Sequence, residues 1–354
     1  MKKIFTFLKI TFGLLITLVL VTLFYLYLSS VSFLESKDQT TIDYLTANKV
    51  ELNNSTIDTT LFDADFYKSE VFLLGEIHGF AANQIADRQL FLFLNKKIGV
   101  KYYIAEMDSI TANQLTKYLN NKSLKDATVL KNVVKSVGAR IPQQSSAELY
   151  TKWSLIYDYN QKLADSLKIT VLGIDKNSDD YTTAIRREQA MLLNFQNYMK
   201  KLHLNNEKCY GLFGFYHTLQ NATTSDNIPF ATQLKQTGTK VTTIVSFPID
   251  SEMYLPKNPS YPSPPDEKLT WMNADGPLML VKGINDLKEL SPENTNTIFK
   301  INSKKTPYLE SQKLITIQSR AFAETINPRA GQNTTSYFQY VLITRNSKAL
   351  TALE

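Results

Sequence analysis

EVFLLGEIHGFAANQIADRQLFLFLNKK, residues 70–97, changes period part-way through. EVFLLG (70–75) is a continuous apolar run of strand length, the pattern of a strand buried on both faces. FAANQIADRQLFLFLNKK then places Ala82, Ile85, Ala86, Leu90, Phe93 and Leu94 on one helical stripe. A buried strand running straight into a helix is half of a βαβ unit. The same change recurs downstream. KYYIAE (101–106), KITVLG (168–173), KCYGLFG (208–214) and KVTTIVSF (240–247) read as strands, and YFQYVLIT (337–344) as the last. Helical patterns cover about 145–167 and 181–202, the second with Asp179 or Asp180 as N-cap, and a helix is expected between 214 and 240. The alternation predicts an α/β fold with a mostly parallel central sheet flanked by helices.

Ahead of this domain, residues 10–34 (ITFGLLITLVLVTLFYLYLSSVSFL) carry no charge. About 20 apolar residues cross a bilayer core. The run is longer than a signal-peptide core, and no small-residue cleavage pattern follows. An uncleaved N-terminal transmembrane anchor over 1–34 is expected in preference to a cleaved signal. Lys2, Lys3 and Lys9 precede it, which orients the N-terminus inward and the body outside the cytoplasm, on the periplasmic or cell-surface side. The lipid bilayer is thus an expected partner. Residues 35–66, with SKDQTT and NNST clusters, read as a polar tether, and 67–354 as the α/β domain. Pro256, Pro259, Pro262, Pro264 and Pro265 make 256–265 an irregular loop.

Composition excludes several classes. Of 354 residues 43% are hydrophobic and 20% charged, so the chain is globular. One Cys precludes an intramolecular disulfide framework or a Cys-based zinc ribbon. Setting aside the three leading lysines leaves 36 Lys and Arg against 33 Asp and Glu, too even for a nucleic-acid partner. There is no G-x-S-x-G, P-loop or G-x-G-x-x-G motif. Cys209, inside a strand pattern, reads as a core thiol.

The candidate chemistry lies in the histidines. Gly75-Glu76-Ile77-His78 and Gly214-Phe215-Tyr216-His217 are both G-x-x-H, and each directly ends an apolar strand. With 12 Gly and 3 His, about 0.1 such motifs are expected by chance. In a parallel sheet, ligands bind at the carboxyl ends of strands, where Gly permits a sharp turn. Acids hold matching positions: Glu76 beside His78, Glu106 ending the second strand, Asp175 ending the third. Carboxylates beside imidazoles suit general-base catalysis or a His/carboxylate metal site, and residue types alone leave both open. His78, Glu76, Glu106 and His217 are the expected catalytic group. A metal, if present, would fall to His78, His217 and Glu106. Asp175, Arg187 and Arg88 are expected substrate contacts.

The run FLLGEIHG…YYIAEMD…WSLIYDYN…VLGIDKN…RREQAMLLNF…GLFGFYHTL resembles the erythromycin-esterase-like superfamily, which includes the haem-binding ChaN proteins and the TraB and Tiki proteins. The resemblance spans about residues 70–220. It implies His78 as general base for water, Glu76 and Glu106 as acidic partners and His217 as the second site histidine. Arg187, Met191 and Asn194 look like that family's Arg-x-x-x-Met-x-x-Asn helix. The esterases usually carry one more residue between the first Glu and His, and often His where this chain has Gly214. The first motif is therefore closer to the ChaN-like and Tiki-like members. The resemblance implies an ester or lactone hydrolase, metal-assisted in the Tiki-like variant, acting on a small-molecule substrate. Its ChaN side implies instead a binder of haem or another tetrapyrrole, with Tyr102, Tyr103 or Tyr216 available as axial ligands.

Overall fold

The computed structural model describes residues 2–52, 57–123, 125–177, 184–258, 263–320 and 325–353. The first helix, α1 (Lys2–Leu34), precedes α2 (Gln39–Ala47), β1 (Lys49–Glu51) and α3 (Ala64–Tyr67). The expected alternation follows: β2 (Val71–Glu76), α4 (Ala81–Ile98), β3 (Tyr102–Ala105), α5 (Ser109–Asn120), α6 (Ala127–Gly138), α7 (Ala147–Asn160) and β4 (Thr170–Gly173). After these come α8 (Arg187–Lys201), β5 (Cys209–Gly214), α9 (Phe230–Gln236) and β6 (Val241–Ile249). Three small ladders are built from β7 (Met253–Tyr254) with β8 (Lys268–Leu269), β9 (Met272–Asn273) with β10 (Gly276–Pro277), and β11 (Met279–Val281) with β13 (Ile317–Ser319). Helix α10 (Ile284–Leu290), β12 (Asn296–Lys300) and β14 (Tyr340–Arg345) complete the chain.

The main sheet has the order β1-β12-β14-β6-β2-β5-β3-β4. From β14 to β4 all neighbours are parallel; β12 and β1 are added antiparallel at one edge. Strand side chains alternate between faces, so each face feeds its own core. Phe72, Leu74, Tyr210 and Leu212 pack under α4–α7. Val71, Leu73, Cys209 and Phe213 pack against α8 and α9. Helix α4 leaves β2 on one face, and the chain after β5 leaves on the other. That divergence between neighbouring strands opens a crevice at their carboxyl ends.

Several expectations need correcting. Residues 39–51 are no tether. Asp38 caps α2 through Thr40 N at 3.1 Å, Leu45 is fully buried, and β1 pairs with β12. Leu61, Phe62 and Phe66 also enter the core, because the sheet edge offers apolar surface to these few residues while their polar neighbours face water. The stripe on α4 is rotated. Ile85 is exposed, whereas Asn83, Gln84, Asp87 and Asn95 are buried. Most of those polar groups are paired: Asp87 accepts from Tyr103 Oη and from Lys152 Nζ at 2.7 Å, and Asn95 from Tyr159 Oη. Helix α8 starts at Arg187, with 184–186 outside it; Asp179 and Asp180 lie outside the described residues. The described part of the Pro-rich loop, 256–258 and 263–265, links β7 to β8.

Within α1, Ile4–Leu34 is long and apolar enough to cross a membrane, with mean hydropathy 2.4 and none of its most apolar window buried. Its end is fixed to the domain. Leu34 is buried and its carbonyl accepts from Gly283 N at 3.1 Å. Glu35 pairs with Lys282 and Lys313, and Ser30 Oγ accepts from Arg320 at 2.9 Å.

Candidate functional site

The residues at the ends of β2, β3, β4 and β5 meet in the crevice. Glu76 is the last residue of β2 and is buried; two residues on, His78 Nδ1 lies 2.9 Å from Glu76 Oε1. The same oxygen accepts from Gln144 Nε2 at 2.8 Å. With Nδ1–H donated to Glu76, the lone pair of His78 falls on Nε2. A Cβ placed on Gly214 would stand 3.3 Å from that Nε2 and 3.5 Å from Cδ2 of His217. Both rings therefore lie at Gly214, and those atoms are less than about 7 Å apart. The His78 side chain is 23% exposed, enough for water to reach it.

The second half of the site is an ion cluster. Glu106 Oε2 accepts from Gly214 N at 2.7 Å. Its Oε1 lies 2.8 Å from Arg187 Nη2 and 3.4 Å from His217 Nε2. Arg187 also grips Asp175, with Nε at 3.0 Å and Nη2 at 2.6 Å. Asp175 is fully buried and its Oδ2 also pairs with Arg140 Nη2 at 3.2 Å. One turn after Arg187 on α8, Met191 is buried in the core, and a turn further Asn194 Nδ2 caps the carbonyls of Ile174 and Asp175. Helix α8 thus closes the end of β4 and aims one guanidinium into the crevice.

Electrostatics follow from this placement. Burial pushes the His78 pKa down, but the hydrogen bond and charge of Glu76, with the charge of Glu106, outweigh it and leave the imidazole above its ordinary value. Burial pushes the Glu106 carboxyl up, yet His217, then His78 and Arg187, hold it well below the usual carboxylate range. Burial raises the Cys209 thiol to about 12, in keeping with a core role.

The loop geometry revises the role of the glycines. Gly75 and Gly214 have no positive φ. A Cβ on Gly75 would stand 2.3 Å from Thr218 Oγ1, so Gly75 makes room for the chain after β5 as Gly214 makes room for His78. The left-handed turn is at Gly79, φ +102°, where Tyr254 N and Leu350 N both bond the carbonyl. Asn83 Nδ2 fixes the loop from below through the Ile77 carbonyl at 3.0 Å.

Of the expected site residues, His78, Glu76, Glu106, His217, Asp175 and Arg187 converge. Arg88 does not. It sits about 10 Å along α4 from the helix start, half-buried, and among the described residues no hydrogen bond or ion pair joins it to the cluster. Gln144 and Arg140 went unread, because the ARIPQQ segment has no periodicity and no motif, and its approach to the crevice is purely tertiary. Asp175 and Arg187 form one ion pair rather than two separate contacts. The donors fit a metal poorly: Glu106 already accepts from the cationic Arg187 at one oxygen and from Gly214 N at the other, Arg187 stands 3.4 Å from His217, and no metal-holding cluster of His, Cys, Asp or Glu occurs among the described residues. The tyrosines available for haem are committed elsewhere. Tyr102 is at the amino end of β3, Tyr103 Oη bonds Asp87, and Tyr216 Oη bonds the Asn227 carbonyl.

No protein-family model and no curated protein matches the chain. Solved structures do. A Bacillus cereus protein superposes with a TM-score of 0.63 at 11% identity, over 90% of this chain and 100% of its own. A succinoglycan biosynthesis protein gives 0.58 at 11% identity, again over 90% and 100%. A mutant of the erythromycin esterase EreC in its open conformation gives 0.49 at 10% identity, over 82% and 95%. The first two show that this fold occurs in known structures, and at such identities they show the fold alone.

Proposed function

We propose that the chain is a hydrolase of esters or lactones in which His78 activates water, held at a membrane by α1. The observation that carries this reading is the Glu76–His78 pair, with Nδ1 bound to a buried carboxylate and Nε2 turned toward the gap beside Gly214. A carboxylate on Nδ1 orients the ring and stabilises the imidazolium formed when Nε2 takes a proton. Gln144 holds the carboxylate in place. Water then attacks the acyl carbon directly, since neither Cys209 nor the buried Thr218, which donates to the Phe215 carbonyl, faces the gap as a nucleophile. Arg187 brings positive charge, and with His217 N–H donors, to the far side, where an oxyanion develops. Arg140 and Asp175 keep the guanidinium in position.

The test uses the full chain in phosphatidylcholine nanodiscs with nitrophenyl esters. The expected result is turnover in the wild type and a loss of about 10²–10⁴-fold in kcat for His78→Ala. An unchanged circular-dichroism spectrum and melting temperature would show that the fold survives. Equal turnover in both proteins would refute the assignment of His78.

A further inference from the structure

The uncharged run of α1 is longer than a membrane needs. Residues 10–34 make about 37 Å of helix against a hydrocarbon core of about 30 Å. Counted from Ile10, about 20 residues bring the core to its end at Ser29, and the last turn, Ser30 to Leu34, stands in the headgroup layer. The domain reaches back into that layer. Gly283 N bonds the Leu34 carbonyl at 3.1 Å, at the domain end of the helix. Strand β11 packs beside α1, and its amino end lies nearer the bilayer. There Arg320 N bonds the Leu278 carbonyl at 2.8 Å, and the Arg320 guanidinium bonds Ser30 Oγ at 2.9 Å. Ser30 is about 6 Å deeper along the helix than Leu34. Leu278 N in turn bonds the Trp271 carbonyl at 3.0 Å. Trp271, Leu278 and Arg320 therefore form one edge, at the level where the helix leaves the hydrocarbon.

We propose that this edge is a second membrane contact, with the Trp271 ring in the phospholipid headgroup layer and Arg320 facing a lipid phosphate. It rests on the reading of α1 as a membrane anchor and adds a contact made by the domain itself. Trp271 is 58% exposed. An indole, apolar with one N–H donor, is most stable at that depth, and the exposed Tyr25 and Tyr27 of α1 lie within two turns of Ser30. Between the edge and α1 runs a groove of about 1230 Å³, walled by Leu23, Leu26 and Tyr27 on one side and by Pro277, Leu278 and Arg320 on the other. The acids that also line it, Asp250, Asp275 and Glu252, are paired with Lys288 and Lys268 of the domain. Among the described residues Arg320 bonds only neutral oxygens, those of Ser30, Pro277 and Leu26, so its charge is left for a phosphate. A single helix lets a domain swivel about its axis; a contact beside that axis fixes which face meets the membrane.

The chain has two tryptophans, and the other, Trp153, is buried in the core. Fluorescence therefore reads Trp271 against an internal control. The experiment places the full chain in phosphatidylcholine nanodiscs doped with phosphatidylcholine spin-labelled either at the headgroup or at the end of an acyl chain. The headgroup label should remove about a third to a half of the tryptophan emission, the share of the one reachable ring, and the chain-end label clearly less. Trp271→Phe, a change at an exposed position, should abolish the quenching and leave the emission of Trp153. Wild-type emission as insensitive to both labels as that of Trp271→Phe, in discs that carry the chain, would overturn the contact. Two copies per disc in that case would make a second chain the occupant of this face. Stronger quenching by the chain-end label would overturn the headgroup placement. Failure of the chain to enter nanodiscs at all would overturn the anchor reading itself.

Discussion

His78 is raised above its ordinary pKa by a carboxylate it touches, and this fixes the sign of its pH response. The base is the neutral imidazole, so activity is lost as pH falls through a pKa that lies above about 6.5. The acid limb of kcat/KM should sit on the alkaline side of that value. Glu76→Gln removes the charge that raises it, so the limb should move to lower pH while kcat falls. A pH–rate profile on both proteins checks this. A limb that stays in place in Glu76→Gln would mean that another group controls the rate. The residue types at this site were legible in the sequence because each ends an apolar strand. Gln144 was not, since a glutamine in a motif-free connection carries no signal until the chain folds it against Glu76.

At the scale of elements, the G-x-x-H motif is a packing device between two loops. Gly75 lies next to the last residue of β2, where Thr218 from the turn after β5 presses against it. Gly75→Ala would force Cβ to 2.3 Å from Thr218 Oγ1 and should destabilise the fold by about 1–3 kcal/mol. Adding Thr218→Ala removes the crowding hydroxyl. The double variant should therefore lose less than the sum of the two single losses, which thermal or urea unfolding of all three proteins measures. Additive losses would show that the two loops do not meet. The elements themselves were mostly readable. The five parallel strands β2 to β6 and also β14 lie where apolar runs predicted them. On α4 hydrophobicity alone placed Ala86, Leu90 and Leu94 in the core but shifted the face, because Asn83, Asp87 and Asn95 are also buried, with partners supplied by other elements.

For the whole molecule, α1 and the domain form a connected unit through Leu34, Glu35 and Arg320. An exposed helix that is apolar on all sides is stable in lipid and costly in water. With Lys2, Lys3 and Lys9 ahead of it, the domain is expected outside the cytoplasm. The full chain should resist carbonate extraction from membranes, and a reporter fused after Glu354 should be active only on the outer side. Release by carbonate would refute the anchor, and cytoplasmic reporter activity would refute the orientation.

What the sequence determined by itself is whatever depends on neighbours along the chain: the apolar helix at 10–34, the α/β alternation, and the placing of His78, His217, Glu106 and Asp175 at strand ends. Periodicity and strand termini are local properties, and a parallel sheet turns them into position. Tertiary structure alone decided the order of the strands, which sets β5 beside β2 and so brings two histidines 139 positions apart together at Gly214. It also decided the pairing of Arg187 with Asp175 and Glu106, the exclusion of Arg88, and the docking of 39–51 on the sheet edge. Each of these depends on which surfaces the packed layers leave open, and a linear pattern does not encode that.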